Sequence, residues 1–224
     1  MCLAIVKPVG RRLDYEEMRL AWCSNPDGAG FTARVRKVLV TVKGMYEDFD
    51  DFWEAWTPYA DCTALVHFRW ATLGTVNKDN CHPFLVDKYA AIHNGHFAGY
   101  GTKEISDTRH WLDGVLGPLL RKYPGLVHEP GFQQLIGDAI RCNKVALLGP
   151  TGDPVIFNES LGIWRGGIWY SNEDFLYLGD TTPAVDAKAD TLEGWWDERQ
   201  PYTYGRTPSW WNDPDYDVDD NNLR

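Results

Sequence analysis

Apolar positions along this chain fall into two rhythms, short continuous or alternating runs and stripes at helical spacing, and the order of the two predicts its elements. LAIVK (residues 3–7) reads as a strand, and Gly30 to Gly44, rich in β-branched residues, as one or two more. Phe49, Phe52, Trp53 and Trp56 recur at helical spacing and predict a helix ending before Pro58. TALVHFRWAT (63–72) and KYAAIHNG (88–95) are apolar runs closed by polar, glycine-punctuated turns, as expected of two adjacent central strands. Trp111, Leu112, Val115, Leu116, Leu119 and Leu120 mark one face of a helix within Asp107–Tyr123, and Phe132, Leu135, Ile136, Ala139 and Ile140 mark a second. KVALLGP, PVIFNE, GIWRGGIWYSNE and FLYLGD follow, separated by turn residues, and read as a meander of strands.

Strands, then grouped helices, then strands predict an α+β arrangement of largely antiparallel sheets, since a parallel sheet requires regular strand–helix alternation. Residues 1–182 fit one domain and 183–224 read as a separate acidic, Trp-rich tail, expected to be partly disordered. That tail matters for charge. Ten acidic and four basic residues between Asp186 and Arg224 supply −6 of the chain's net −10. Nucleic acid is an improbable partner for such a balance, because neutralising phosphates takes clustered Lys and Arg. No run of eighteen apolar residues suggests a membrane span. Lys7, Pro8, Arg11 and Arg12 interrupt the start too early for a secretory signal, so a cytoplasmic location is expected. Five cysteines without a CxxC pair point to reduced thiols, and His67, His82, His93 and His96 lack the spacing of a zinc motif, so neither metal nor cofactor is expected.

Cys2, directly behind Met1, would become the first residue if Met1 is removed. It would then carry a thiol beside an α-amine, which titrates near pH 8 and can act as a base at neutral pH. The plainer reading is a small hydrophobe opening a buried strand. Three further stretches bear on the choice: HFRWATLGTVNKDNCHPF (67–84), IHNGHF (92–97) and SDT (106–108). In this order and spacing, together with Cys2, NPDGAGF (25–31) and WYSN (169–172), the chain resembles the glutaminase domain of class II glutamine amidotransferases, the N-terminal nucleophile (Ntn) hydrolases that release ammonia from glutamine. The likeness runs from Cys2 to about Gly179 and leaves the tail uncovered.

The resemblance implies a four-layer αββα sandwich of two antiparallel sheets. It also implies L-glutamine as substrate, Cys2 as nucleophile, and an oxyanion hole made by the Asn94 side chain and the Gly95 backbone N–H. Arg69 would hold the α-carboxylate and Asp107 the α-ammonium, with Thr72 and Gly74 on the loop that closes over the substrate. Read for themselves, Asn94–Gly95 is also an ordinary turn, Arg69 a candidate for a structural salt bridge, and Asp107 a candidate helix N-cap. Trp70 lies in the same loop as Thr72 and Gly74, where some relatives use a tryptophan to gate ammonia, and also fits a core role; His82 reads as structural; Gly28 and Gly30 would permit close packing beside Cys2. Arg109 stands where many relatives carry an acidic residue, and Leu73 where many carry His, which bears on substrate specificity. Residues 183–224 are too few to form a synthase domain, so a separate ammonia-using synthase subunit is the expected partner. Two alternatives stand beside this reading: an N-terminal-cysteine hydrolase of another γ-glutamyl or acyl amide, and a catalytically silent scaffold subunit.

Overall fold

Every position of the first strand, β1 (Leu3–Lys7), is buried, and that single feature organises the fold. A strand buried on both faces must lie inside a sheet that is itself covered on both sides. In the computed structural model, which describes residues 2–178, β1 pairs antiparallel with β4 (Thr63–Phe68) on one side and β10 (Ile168–Tyr170) on the other. β2 (Ala29–Val35) and β3 (Val38–Gly44) extend the sheet beyond β4, and β9 (Ile163–Arg165) extends it beyond β10. A second sheet runs β5 (Phe84–Val86), β6 (Tyr89–Asn94), β7 (Lys144–Leu148), β8 (Val155–Phe157). All the pairings in both sheets are antiparallel. Met1 and the tail expected over 183–224 lie outside the described residues.

Side-chain alternation sorts the strands' apolar residues into three cores. Leu3, Ile5, Phe31, Val66 and Phe68 of the larger sheet pack with Met18 of α1 (Tyr15–Ser24) and with Phe49, Phe52 and Trp56 of α2 (Phe49–Trp56). Ala91, Val145, Leu147 and Phe157 of the smaller sheet pack with Trp111 of α3 (Asp107–Trp111), Leu120 of α4 (Gly117–Lys122) and Ile136 of α5 (Pro130–Ile140). The alternate residues, Ala4, Val6, Leu65 and Trp169 from one sheet and Ala90, Ile92, Ala146 and Leu148 from the other, form the third core. Each sheet thus spends one residue parity on helices and the other on its partner sheet.

Three expectations need correction, and one helix was not expected. The runs at 63–72 and 88–95 form central strands of different sheets, β4 and β6, which meet across the third core instead of pairing edge to edge. The final runs do not make one meander: β7 and β8 join the smaller sheet, β9 and β10 the larger, and residues 174–178 form a 3-10 turn. Leu135 and Ala139 lie outside the apolar stripe of α5, both exposed, and Phe132, Ile136 and Ile140 carry the burial. The α1 helix had no counterpart in the sequence reading. The helix expected from Asp107 onward is present, with one π turn (Leu112–Leu116) linking α3 to α4. Among the described residues no helix is long and apolar enough to cross a membrane.

Candidate active site

Antiparallel pairing brings the start of β1 level with the ends of its neighbours. Leu3 is opposite Phe68 and Ile5 opposite Tyr170, so Cys2 emerges beside Arg69 and Trp70 on one side and beside Ser171 and Asn172 on the other. Asn94 closes β6 in the facing sheet and reaches the same point. The Cys2 thiol donates to the Trp70 carbonyl at 3.2 Å and accepts from the Trp70 N–H at 3.3 Å. The Cys2 carbonyl accepts from the side-chain amides of Asn94 and, at 2.9 Å, Asn172. The Asn94 amide also donates to Ser171 Oγ at 2.7 Å, which in turn accepts from the Ala4 N–H at 3.0 Å. Burial pushes the thiol's pKa up, against the lowering pull of the Trp70 backbone bond and of Arg69, so at neutral pH this site holds a thiol and not a thiolate.

Gly95 follows Asn94 with φ +138°, a conformation that L side chains rarely adopt, and a Cβ there would lie 2.1 Å from Asn143 Oδ1. The backbone N–H of this turn is consequently unshielded by any side chain of its own. Behind it, His93 donates from Nε2 to Asn143 Oδ1 at 2.9 Å and accepts at Nδ1 from the Thr108 hydroxyl at 2.7 Å. Its ring stacks on Phe97 with centroids 4.1 Å apart. Burial lowers the His93 pKa to about 4, which keeps the imidazole neutral in that tautomer. One buried side chain therefore ties the 94–95 turn to the start of α3.

Arg69 is only 3% exposed, and its guanidinium donates to the carbonyls of Leu73 (2.9 Å), Thr75 (3.3 Å) and Gly74 (3.4 Å). Among the described residues it has no carboxylate partner, so the structural salt bridge is absent there. The 72–75 loop curls around the guanidinium and packs on the start of α3: at Gly74, with φ +75°, a Cβ would come within 2.6 Å of the Ser106 N–H nitrogen. Thr72 is exposed on this loop. Asp107 is buried, and its N-cap reading is corrected: Ser106 caps α3 through the Arg109 N–H, which leaves the Asp107 carboxylate to other partners. Those are the Phe97 N–H (2.7 Å), the Thr108 N–H (2.8 Å) and His96 Nδ1 (3.3 Å).

Trp70 is 42% exposed, which removes the core reading for its side chain; its backbone is what touches the thiol. His82 is buried with its ring 4.0 Å from that of His67 and has no polar partner for either ring nitrogen among the described residues. A Cβ at Gly28 would sit 2.3 Å from Cys81 Sγ and one at Gly30 2.2 Å from the His82 carbonyl oxygen. These glycines admit the 81–82 segment, a correction to their expected place beside Cys2; Gly28 reaches the site through its carbonyl, which accepts from the Arg69 N–H at 2.8 Å.

No family model matches the chain. The glutamine–fructose-6-phosphate aminotransferase (isomerizing) of Photorhabdus laumondii is 26% identical over 173 residues, which cover 68% of this chain and 27% of that protein. Over those residues the chain is similar to this aminotransferase, in line with the motifs' resemblance to class II glutamine amidotransferases. It spans about a quarter of the length of this curated relative. Among solved structures, the glutamine phosphoribosylpyrophosphate amidotransferase of B. subtilis, complexed with ADP and GMP, is similar at a TM-score of 0.46 and 15% identity, over 76% of this chain and 41% of that one.

Beside the residues given a role from the motifs, the site contains several to which sequence reasoning assigned none. Ser171 and Asn172 hold the Cys2–Ala4 backbone, Asn143 and Thr108 hold His93, and the Asp27 carboxylate accepts from the Ala71 N–H at 2.7 Å to anchor the loop after Arg69. All act on main-chain atoms or on other side chains. Only the WYSN run carried a usable signal, a polar pair ending an apolar strand.

Proposed function

We propose that this chain is a glutaminase-type amidotransferase domain that hydrolyses the side-chain amide of L-glutamine to glutamate and ammonia, for use by a separate synthase subunit or other acceptor. One observation carries the reading. A thiol at the head of a central strand shares its strand ends with a buried arginine that has no carboxylate partner among the described residues and with an asparagine–glycine turn whose glycine brings no side chain of its own. Hydrolysing a primary amide needs a nucleophile, a base, donors for the developing oxyanion and groups for the substrate's other ends. Because the resting thiol is protonated, attack requires a base, and the Cys2 α-amine supplies it once Met1 is removed.

The thiol proton passes to the α-amine as sulfur bonds to the glutamine Cδ, and the oxyanion forms against the Asn94 amide and the Gly95 N–H. Returning that proton to the leaving nitrogen releases ammonia and leaves a thioester on Cys2; water then adds, the C–S bond breaks, and glutamate departs with the thiol restored. Arg69 takes the α-carboxylate with the guanidinium N–H groups that the three loop carbonyls leave free, and Asp107 takes the α-ammonium, with Thr72 and Gly74 on the covering loop. The three cores support an αββα sandwich of the Ntn type; on the same proposal the glutaminase domain takes residues 1–182, apart from the acidic 183–224, and works in the cytoplasm.

The test is glutamate release from L-glutamine by purified protein whose intact mass shows loss of Met1, with asparagine as control substrate. Release that disappears in Cys2→Ala and is not seen with asparagine supports the proposal; a correctly processed protein that releases no glutamate refutes it.

A further inference from the structure

The two hydrogens of the Asn94 side-chain amide are already spoken for: one lies on the Cys2 carbonyl, the other on Ser171 Oγ. An oxyanion donor must give one of them up at the moment of reaction, and an acceptor abandoned in a buried site is costly. Each of the two acceptors has a second donor in place. Ser171 Oγ keeps the Ala4 N–H, and the Cys2 carbonyl keeps Asn172. The orientation of the Asn172 amide is fixed by its surroundings: the Asp174 N–H, which can only donate, lies 3.2 Å from Oδ1, so the NH2 group must face Cys2.

We propose that Asn172 is a positioning residue for the glutaminase reaction: it holds the Cys2 carbonyl so that the Asn94 amide is free to turn onto the oxyanion. The inference rests on the functional reading above and adds a residue to it. Asn172 itself touches neither substrate nor sulfur. Its effect is conditional on Asn94, and that conditionality separates it from a residue that only stabilises the strand end.

The experiment is steady-state glutamine hydrolysis by wild type, Asn172→Ala, Asn172→Asp, Asn94→Ala and the Asn94→Ala/Asn172→Ala double variant, with thermal unfolding of each. Asn172 is only partly buried and lies two residues past the end of β10, so the variants are expected to stay folded. The expected result is a kcat reduced about tenfold or more in Asn172→Ala and further in Asn172→Asp, whose carboxylate repels the carbonyl it should hold. KM for L-glutamine changes less than about twofold. The double variant is no slower than Asn94→Ala, because without the Asn94 amide there is nothing for Asn172 to release. Wild-type kcat in Asn172→Ala, or losses that multiply in the double variant, overturns the proposal while leaving the glutaminase function standing. A processed wild-type protein inactive on glutamine overturns that function and this inference with it.

Discussion

A glycine whose missing side chain is filled by a neighbour's polar atom is a sharper constraint than a glycine in open space. At Gly95 two penalties coincide, a φ of +138° and an Asn143 Oδ1 standing 2.1 Å from any added Cβ, whereas Gly99 and Gly114 have nothing within 4 Å. Gly95→Ala is expected to destabilise the protein by about 2–4 kcal/mol, part from backbone strain and part from the clash. It also displaces the N–H assigned to the oxyanion, so kcat should fall about a hundredfold or more. Adding Asn143→Gly relieves the clash but leaves the strain, and it takes from the buried His93 Nε2–H the acceptor it has at 2.9 Å, so it should recover little of either stability or rate. Urea unfolding and glutamate release on both variants check this; a rate that recovers along with stability would mean Gly95 matters only for packing. At this scale the sequence was most legible where a reactive or polar residue breaks an apolar run: Cys2, Arg69 and the Asn94–Gly95 pair each sit at such an edge, and the fold brings the Asn94 amide onto the Cys2 carbonyl. Asn143 escaped notice, and Ser171 and Asn172 were visible only as part of the WYSN run, because all three act on backbone atoms and on side chains distant in sequence.

At the scale of elements, α3 is the one whose register the site depends on, because its first turn carries Asp107, buried and bonded to the Phe97 N–H. It is a short helix whose N-terminus is tied by the Ser106 cap, with the Ser106 N–H held in turn by Asn80 Oδ1 at 3.0 Å. Ser106→Ala removes the side-chain cap and keeps the backbone bond, which should cost about 1 kcal/mol. The consequence for function follows from geometry: a loosened first turn lets the Asp107 carboxylate drift, so KM for glutamine should rise severalfold with kcat less affected. Kinetics and chemical denaturation of Ser106→Ala check both halves; an unchanged KM at the expected loss of stability would remove Asp107 from substrate recognition. Elements with strong periodicity were readable, as α2 shows with Phe49, Phe52 and Trp56 on its buried face. The α1 helix was not, since it buries only Met18 and Ala21 and is otherwise charged or half-exposed. The apolar run at 175–178 looked like a strand because so short a run has no period to betray a turn.

For the whole molecule, the most consequential choice is that β4 and β6 lie in opposite sheets, which local pattern could not reveal: both are buried at every position, and such runs look alike whichever sheet receives them. Their juxtaposition places His67 and His82 together in the interior, with His93 on the reverse of β6, and burial first of all keeps all three neutral. The His67 pKa is lowered to about 3, that of His93 to about 4, and that of His82 well below its usual value. Unfolded histidine titrates near 6.5. Below that pH the unfolded chain binds protons that the folded one refuses, so stability falls as pH falls, at about 1.4 kcal/mol per pH unit for each histidine. The loss continues to about pH 4 for His93 and about pH 3 for His67, where the folded protein also takes the proton. Three such groups acting together remove about 4 kcal/mol per unit, a large share of the ~5–15 kcal/mol that stabilises an ordinary domain. The urea midpoint should therefore drop steeply between pH 6.5 and 5 and change little between 7 and 8. His67→Leu should lessen that slope by about a third, since its Nδ1 lacks a partner among the described residues and only the Nε2 bond to the His93 carbonyl, at 3.0 Å, is given up. A midpoint flat from pH 7 to 5 would mean that these imidazoles can be protonated in the folded protein, and that the interior where the two sheets meet admits solvent.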